Sequence, residues 1–240
     1  MQVLNAEKNE ILQRIRIRFF FQTSSLLKKI EDFGGKMLKV HAVANSRSVR
    51  VIWLLEELEL NYELNTMDFD QSVGKVLSEE HKKRHPLGKV PVLETAGQYI
   101  WESGAIVQYI LDTQNDNGLK PAASSGSYGK YLQWFHYCEG TLMPAAVNVI
   151  SDQFFTPESD QDHERIAKER AVLDDVLSVI DEELTEDYLI GDFSAADIMI
   201  GDAIRLAKAI GWQNSSYTNL ESYYARLESR PPFLRALELS

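Results

Sequence analysis

Every stretch of this chain that reads as a β-strand lies between Leu38 and Trp101, and beyond the loop Gln114–Gly129 only helical periodicity remains. That segregation leaves few folds, because a sheet and a helix bundle must each bury their own apolar face. LKVHAV (Leu38–Val43) alternates, with Leu38, Val40 and Ala42 on one face. A helix is expected from about Val49 to Leu60, where Val51, Leu54, Leu55 and Leu58 recur at i, i+3, i+4 and i+7 and Glu56, Glu57 and Glu59 lie largely to solvent. YELNTM (Tyr62–Met67) reads as a second strand. SEEHKKRH is irregular or weakly helical and ends at Pro86 and Gly88. KVPVLET (Lys89–Thr95) is a third strand, and Gly97 turns the chain back into a fourth, QYIW (Gln98–Trp101). ESGAIVQYILDT (Glu102–Thr113) is then a helix with Ser103 as its N-cap. Two strands joined through a helix imply a parallel crossover, and the Gly97 hairpin implies an antiparallel pair.

The second half is helical on its pattern. GKYLQWFHYCEGTLMPAAVNVI reads as one long helix that Pro144 kinks or interrupts. In His163–Thr185, Ile166, Val172, Leu173, Val176, Leu177 and Ile180 form the apolar side. Ser194 and Asp197 have the spacing of a capping box, a structural role rather than a catalytic one. Pro231 and Pro232 separate two last helices. The expected organisation is an N-terminal extension (1–36), an α/β domain (37–113), a linker (114–126) and an all-α domain (127–240).

The formal charge of −11 argues against a nucleic-acid partner, which selects clustered Lys and Arg. No run approaches the roughly 18 to 20 apolar residues of a membrane span. One cysteine, Cys138, excludes an intrachain disulfide framework, makes a multi-thiolate metal site unexpected and suits a reducing, cytoplasmic compartment. Residues 1–36 carry seven Lys and Arg against four acids, a net +3, leaving −14 for the rest. Ile11–Ile30 has no acid and mixes Arg, Ser and Thr with large apolar groups, which is compatible with mitochondrial targeting. The simpler expectation is an extension outside the fold, and Met37 is an alternative start.

Three short stretches are able to carry chemistry. In NSRSVRV, Ser46 and Ser48 stand where a helix begins; each could cap it, or donate to a ligand thiolate that the helix dipole also stabilises. In KVPVL, Pro91 cannot donate to a ladder. A cis Val90–Pro91 bond would turn the backbone of Val90 outward to pair with an extended peptide, the alternative being an edge-strand proline with no ligand. In WESGAI, Glu102 and Ser103 precede a helix whose free amides suit a carboxylate, although Ser103 taken alone reads as a cap. No Ser/His/Asp arrangement suggests a hydrolase triad, and His41 is poorly placed for one.

Taken together, SRSVRVIWLLEEL, HPLGKVPVLE, ESGAIVQYI and LIGDFSAADIMIGDAI resemble the glutathione S-transferases in order and spacing over about residues 37–235. The resemblance is closest to serine-type fungal and bacterial members. It implies a thioredoxin-like N-terminal domain followed by an all-α domain, glutathione as cosubstrate, no metal, and a homodimer. Carried over by position, it implies that Ser46 activates the thiol and that Val90, before cis-Pro91, pairs with the cysteinyl backbone. It further implies that Glu102 and Ser103 hold the γ-glutamyl group and that Lys89 lies near the glycine carboxylate. Asn45, Arg47 and Ser48 share the active turn and are alternative contributors. The absence of Tyr and Cys from that turn disfavours tyrosine-type and thiol-transferase chemistry.

The expected activity is conjugation of ionised glutathione to a small hydrophobic electrophile in detoxification, with peroxide reduction as a variant of the same chemistry. Lowering a thiol pKa from near 9 towards 6 or 7 corresponds to roughly 3 to 4 kcal/mol of thiolate stabilisation. Phe135, Tyr137, Leu142 and Met143 are the candidate electrophile wall. The alternative is a non-catalytic binding or regulatory module on the same fold, such as occurs in an elongation-factor subunit.

Overall fold

A computed structural model describes residues 37–70 and 74–239, the side chain of Phe154 excepted. The N-terminal extension, with its targeting and surface-segment readings, lies outside the described residues. β1 (Leu38–Ala42), α1 (Ser48–Glu57) and β2 (Tyr62–Thr66) make the expected crossover, with β1 and β2 parallel and Leu38 beside Tyr62. After the short α2 (Glu79–Lys82) come β3 (Val92–Thr95) and β4 (Gln98–Trp101), antiparallel to each other, with β3 antiparallel to β1. The sheet order is β2-β1-β3-β4, and α3 (Ser103–Thr113) follows. Ala96 and Gly97 both take positive φ, 52° and 74°, as a two-residue hairpin with the strands' own twist requires.

Two boundaries moved for identifiable reasons. α1 stops at Glu57 because Glu59 enters the left-handed region (φ 52°) and the Leu60 amide reaches back to the Leu55 carbonyl at 3.0 Å, a helix-ending turn. β3 begins at Val92, whose partner is His41, because Pro91 has no N–H for the ladder.

α1 is the central element. Every residue from Ser48 to Leu55 is buried, polar Ser48 and Arg50 included, so the expected single stripe is a helix covered on almost all sides. Glu57 also departs from the expected solvent face: Arg230 grips its carboxylate at 2.7 and 2.8 Å and Trp53 Nε1 donates to it at 2.8 Å.

The helical half comprises α4 (Tyr128–Tyr137), α5 (Met143–Ile150), α6 (His163–Glu183), α7 (Ala195–Ala209), α8 (Thr218–Glu228) and α9 (Pro231–Leu239). Pro144 interrupts the first of these runs as expected, by way of a π-helical turn at Cys138–Leu142 in which the Met143 amide bonds back to the Cys138 carbonyl. The wider turn accommodates the missing proline donor. A second π turn, Ser151–Phe155, follows α5. On α6, Ile166, Leu173, Leu177 and Ile180 are buried, but Val172 is 54% exposed and leaves the expected apolar side.

The Ser194–Asp197 capping box forms at the start of α7. The Asp197 carboxylate is fully buried and accepts from the Ser194 amide and hydroxyl (both 2.8 Å), the Leu189 amide (3.1 Å) and the Tyr223 hydroxyl (3.0 Å). One turn on, a Cβ at Gly201 would lie 2.6 Å from Leu227 and 3.3 Å from the Trp53 ring. A side chain there would have to displace the Leu227 methyl on α8 and press on the Trp53 ring of α1. Trp53 itself is sandwiched between Phe233 and Phe193, ring centroids 4.4 and 6.0 Å away.

Candidate active site

Between β1 and α1 the chain passes Asn45, in the left-handed region at φ 57°, and then half-buried Ser46. The Ser46 hydroxyl lies 2.7 Å from the Val43 carbonyl and 2.9 Å from Ser48 Oγ, and it accepts from the Ser48 amide at 3.1 Å. Ser46 therefore satisfies a free amide of the helix start. Ser48, the other candidate cap, is fully buried inside the first turn and is not in the lining of the cleft beside this turn. The single Ser46 hydrogen serves Val43 or Ser48 at any moment, so it can be redirected to an incoming acceptor.

A cavity of about 600 Å³ opens beside this turn. Asn45, Ser46, Arg47, Lys89 and Val90 line one side, and Met143, Val147, Ile150, Leu206, Ala209 and Ile210 line the other. The structure thus brings four of the expected site residues, Asn45, Ser46, Lys89 and Val90, to one cleft. The Val90–Pro91 peptide is cis, and Val90 lies ahead of the β1–β3 ladder, so its backbone groups take no part in that pairing.

The apolar side of the cleft differs from the expected electrophile wall. Met143 lines the cavity, but Phe135 and Leu142 are core residues and the Tyr137 hydroxyl bonds to the Val176 carbonyl at 3.0 Å. The π turn at Cys138–Leu142 alters the register, so the cleft face is Met143, Val147 and Ile150.

Glu102 and Ser103 are not in the lining of that cavity. They sit at the start of α3, where exposed Glu102 adopts φ 71°. Ser103 is not a cap; it is the first helical residue and its nearly buried hydroxyl accepts from Arg50 Nη1 at 3.1 Å. Arg50 also bonds Asp202 through Nε at 2.8 Å and is ion-paired with Glu139, which in turn pairs with Arg47 at 3.2 Å. Arg205 chelates Asp202 and reaches the Asn45 and Ser46 carbonyls at 3.4 Å.

Sequence reasoning missed Arg50 and also His81. His81 is buried, and its Nε2, which must carry the proton because a carbonyl only accepts, donates to the Lys89 carbonyl at 2.8 Å. It thereby fixes the loop that presents Lys89 and Val90. His85, four residues on, packs against Trp101 with ring centroids 5.1 Å apart, and burial pushes its pKa down. The i, i+4 spacing of the two histidines was the available signal. Burial likewise depresses His41, which is held between Glu94 and Asn65, each 2.9 Å away. Cys138 is a buried thiol 3.1 Å from the Met199 carbonyl, its pKa pushed up to about 12 by burial, so it offers no thiolate. Among the described residues no helix is long and apolar enough to cross a membrane, and no three His, Cys, Asp or Glu side chains gather as metal ligands.

A thioredoxin-like half with a cis-proline beside a helix start, backed by an all-α half that walls the cleft, defines the class. The family models for the glutathione S-transferase N-terminal domain and C-terminal domain match residues 35–112 and 141–231. The chain belongs to the glutathione S-transferase family. It is similar to glutathione S-transferase hmp2 of Hypomyces subiculosus, 30% identical over 83% of this chain and 97% of that one. It is 32% identical to glutathione S-transferase 3 of Schizosaccharomyces pombe, in a match spanning 45% of this chain and 43% of that relative. Among solved structures, the theta-class transferase of Xanthomonas axonopodis pv. citri with glutathione bound superposes with a TM-score of 0.72. It is 26% identical, covering 83% of this chain and 96% of that one.

Proposed function

We propose that this protein binds glutathione along the Lys89–Val90 loop and the start of α3, ionises its thiol at Ser46, and adds the thiolate to a neutral apolar electrophile. The observation that carries the reading is one cleft holding Ser46, Lys89 and Val90 against a wall of Met143, Val147, Ile150 and Leu206. Val90 would pair with the cysteinyl backbone, Lys89 with the glycine carboxylate, and Ser103 and Glu102 with the γ-glutamyl group. Asn45, exposed beside Ser46, would contact the peptide near its sulfur. The Ser46 hydroxyl and the α1 dipole both favour the thiolate over the thiol. Attack then forms the carbon–sulfur bond as the electrophile's leaving group departs, or as its activated double bond takes up the electron pair and later a proton from water. Among the described residues that line the cleft none is a carboxylate or a histidine.

Glutathione-dependent peroxide reduction is the second activity of the same thiolate, through a sulfenic intermediate resolved by a second glutathione. The working state is a homodimer, with Tyr99 and Trp101 as exposed apolar groups on the edge strand β4. The place of action is the cytoplasm, unless residues 1–36 direct the chain to mitochondria. Conjugation of chlorodinitrobenzene and reduction of cumene hydroperoxide by the purified protein test the activity. Glutathione binding with neither turnover would instead identify a non-catalytic module.

A further inference from the structure

Where the π turn Ser151–Phe155 meets α6, two acids face each other. Asp152 Oδ2 and Glu169 Oε2 are both buried, and neither has a hydrogen-bond partner among the described residues unless one of the two is protonated. The carboxyl groups themselves stand in hydrogen-bonding position. Ionised carboxylates only accept, so this contact closes when the pair carries a proton. Two like charges at that range, away from water, push one of the acids to keep its proton.

The charges around the pair tip the balance the same way. Glu169 is faced by Asp152 from the π turn, by Arg165 one turn earlier on α6 and by Asp162 at the α6 N-cap. Arg165 Nη2 lies 2.6 Å from Asp152 Oδ1. Arg170 is taken up by Gln153 Oε1 at 2.5 Å and the Ile210 carbonyl at 2.7 Å, and α5 carries no charged residue. One guanidinium therefore serves three acids, and burial together with the Asp152 contact raises the Glu169 pKa above its ordinary value.

The π turn also belongs to the cleft. Ser151 and Phe155 line it beside Ile150, and Arg170 ties the same turn to Ile210, another lining residue. Among the described residues no α6 side chain stands in that lining, yet α6 holds two segments of it.

We propose that Glu169 is a positioning residue for the apolar side of the cleft, docking the π turn on α6 through a proton shared with Asp152. The proton is in place at acid pH and is lost as pH rises through the raised Glu169 value. The two carboxylates then repel, Ser151 and Phe155 move outward, and the hold on the electrophile's apolar group weakens. The hold on the peptide does not change. The inference rests on the glutathione reading above and adds a residue outside the cleft that sets how tightly the second substrate is held.

The test is calorimetric binding of S-methylglutathione and S-hexylglutathione, neither of which has a thiol to titrate, from about pH 5 to about pH 8. In the wild type the preference for the hexyl conjugate should fall at least about fivefold across that range, the contact of one or two methylenes, while the methyl conjugate binds within about twofold. Glu169→Gln sets a permanent N–H donor opposite Asp152, so its preference should stay at the wild type's acid value throughout. Asp152→Asn should do the same from the other side of the contact. A Glu169→Gln preference that still falls with pH, or that sits at the wild type's alkaline value throughout, overturns the inference. A wild-type preference that ignores pH overturns it without any variant and leaves the glutathione site standing. A wild type that binds neither conjugate overturns the glutathione reading itself. Should neither variant fold, crystal structures of the wild type at the two ends of the pH range decide. The Asp152 and Glu169 oxygens should touch at the acid end and part at the alkaline end, and a contact unchanged between them refutes the proposal.

Discussion

Ser46→Ala removes the hydroxyl at the α1 end of the cleft, whose hydrogen can turn between two acceptors. A hydrogen bond to a charged group is worth about 1.5 to 3 kcal/mol, and breaking the present 2.7 Å bond to the Val43 carbonyl to make it costs about 0.5 to 1.5. The net is about 1.5 kcal/mol, so the pKa of the bound thiol should rise by about one unit. The assay is the ultraviolet absorbance of the thiolate in the binary complex, titrated against pH for both proteins. Conjugation at a pH well below the wild-type pKa should slow about tenfold in the variant, and the two rates should converge once both thiols are ionised. Ser48→Ala should leave the thiol pKa within about 0.3 units, because Ser48 is fully buried and turned towards Ser46. A thiol pKa that moves in Ser48→Ala and not in Ser46→Ala would refute this assignment.

Asp197→Ala strands the Leu189 and Ser194 amides and the Tyr223 hydroxyl in a dry core; urea unfolding should show a loss of about 3 to 5 kcal/mol, and a loss under about 1 would mean water replaces the carboxylate. Val147→Trp should fill the apolar side of the cleft, raising KM for bulky electrophiles at least several-fold while calorimetric affinity for glutathione stays unchanged. His41 and His85 have folded pKa values below the ordinary histidine value, so the unfolded chain binds more protons in the acid range. Their contribution is complete above about pH 6.5 and is lost as pH falls below it. Melting temperature should therefore drop between about pH 7 and pH 5, and less so in His41→Asn.

What the sequence made legible was local. The α1 stripe, the Gly97 hairpin, the Ser194–Asp197 box and the Pro144 interruption each depend on residues a few positions apart, where periodicity and turn chemistry act directly. The positions that were missed depend on distant partners. Arg50 finds Glu139 and Asp202 at separations of 89 and 152 residues, and nothing within its own helix announces that it is buried. Glu57 looked solvent-facing because its partner, Arg230, stands 173 residues away. The residues on the apolar side of the cleft were hidden for a subtler reason: the π turn before Met143 shifts the helix face, and α-helical spacing carries no sign of such a turn. The roles of Ser46 and Ser48 were separable only once the backbone showed which hydroxyl remained at the surface.

Whether the cleft ionises glutathione is decided by a pH titration of the peptide bound to the wild-type protein, following thiolate absorbance at saturating protein. One glutathione should bind per chain with a thiol pKa about 1.5 to 2.5 units below that of the free peptide, the shift that a hydroxyl donor and a helix dipole together supply. Binding with an unshifted thiol, or no binding at millimolar peptide, would contradict it.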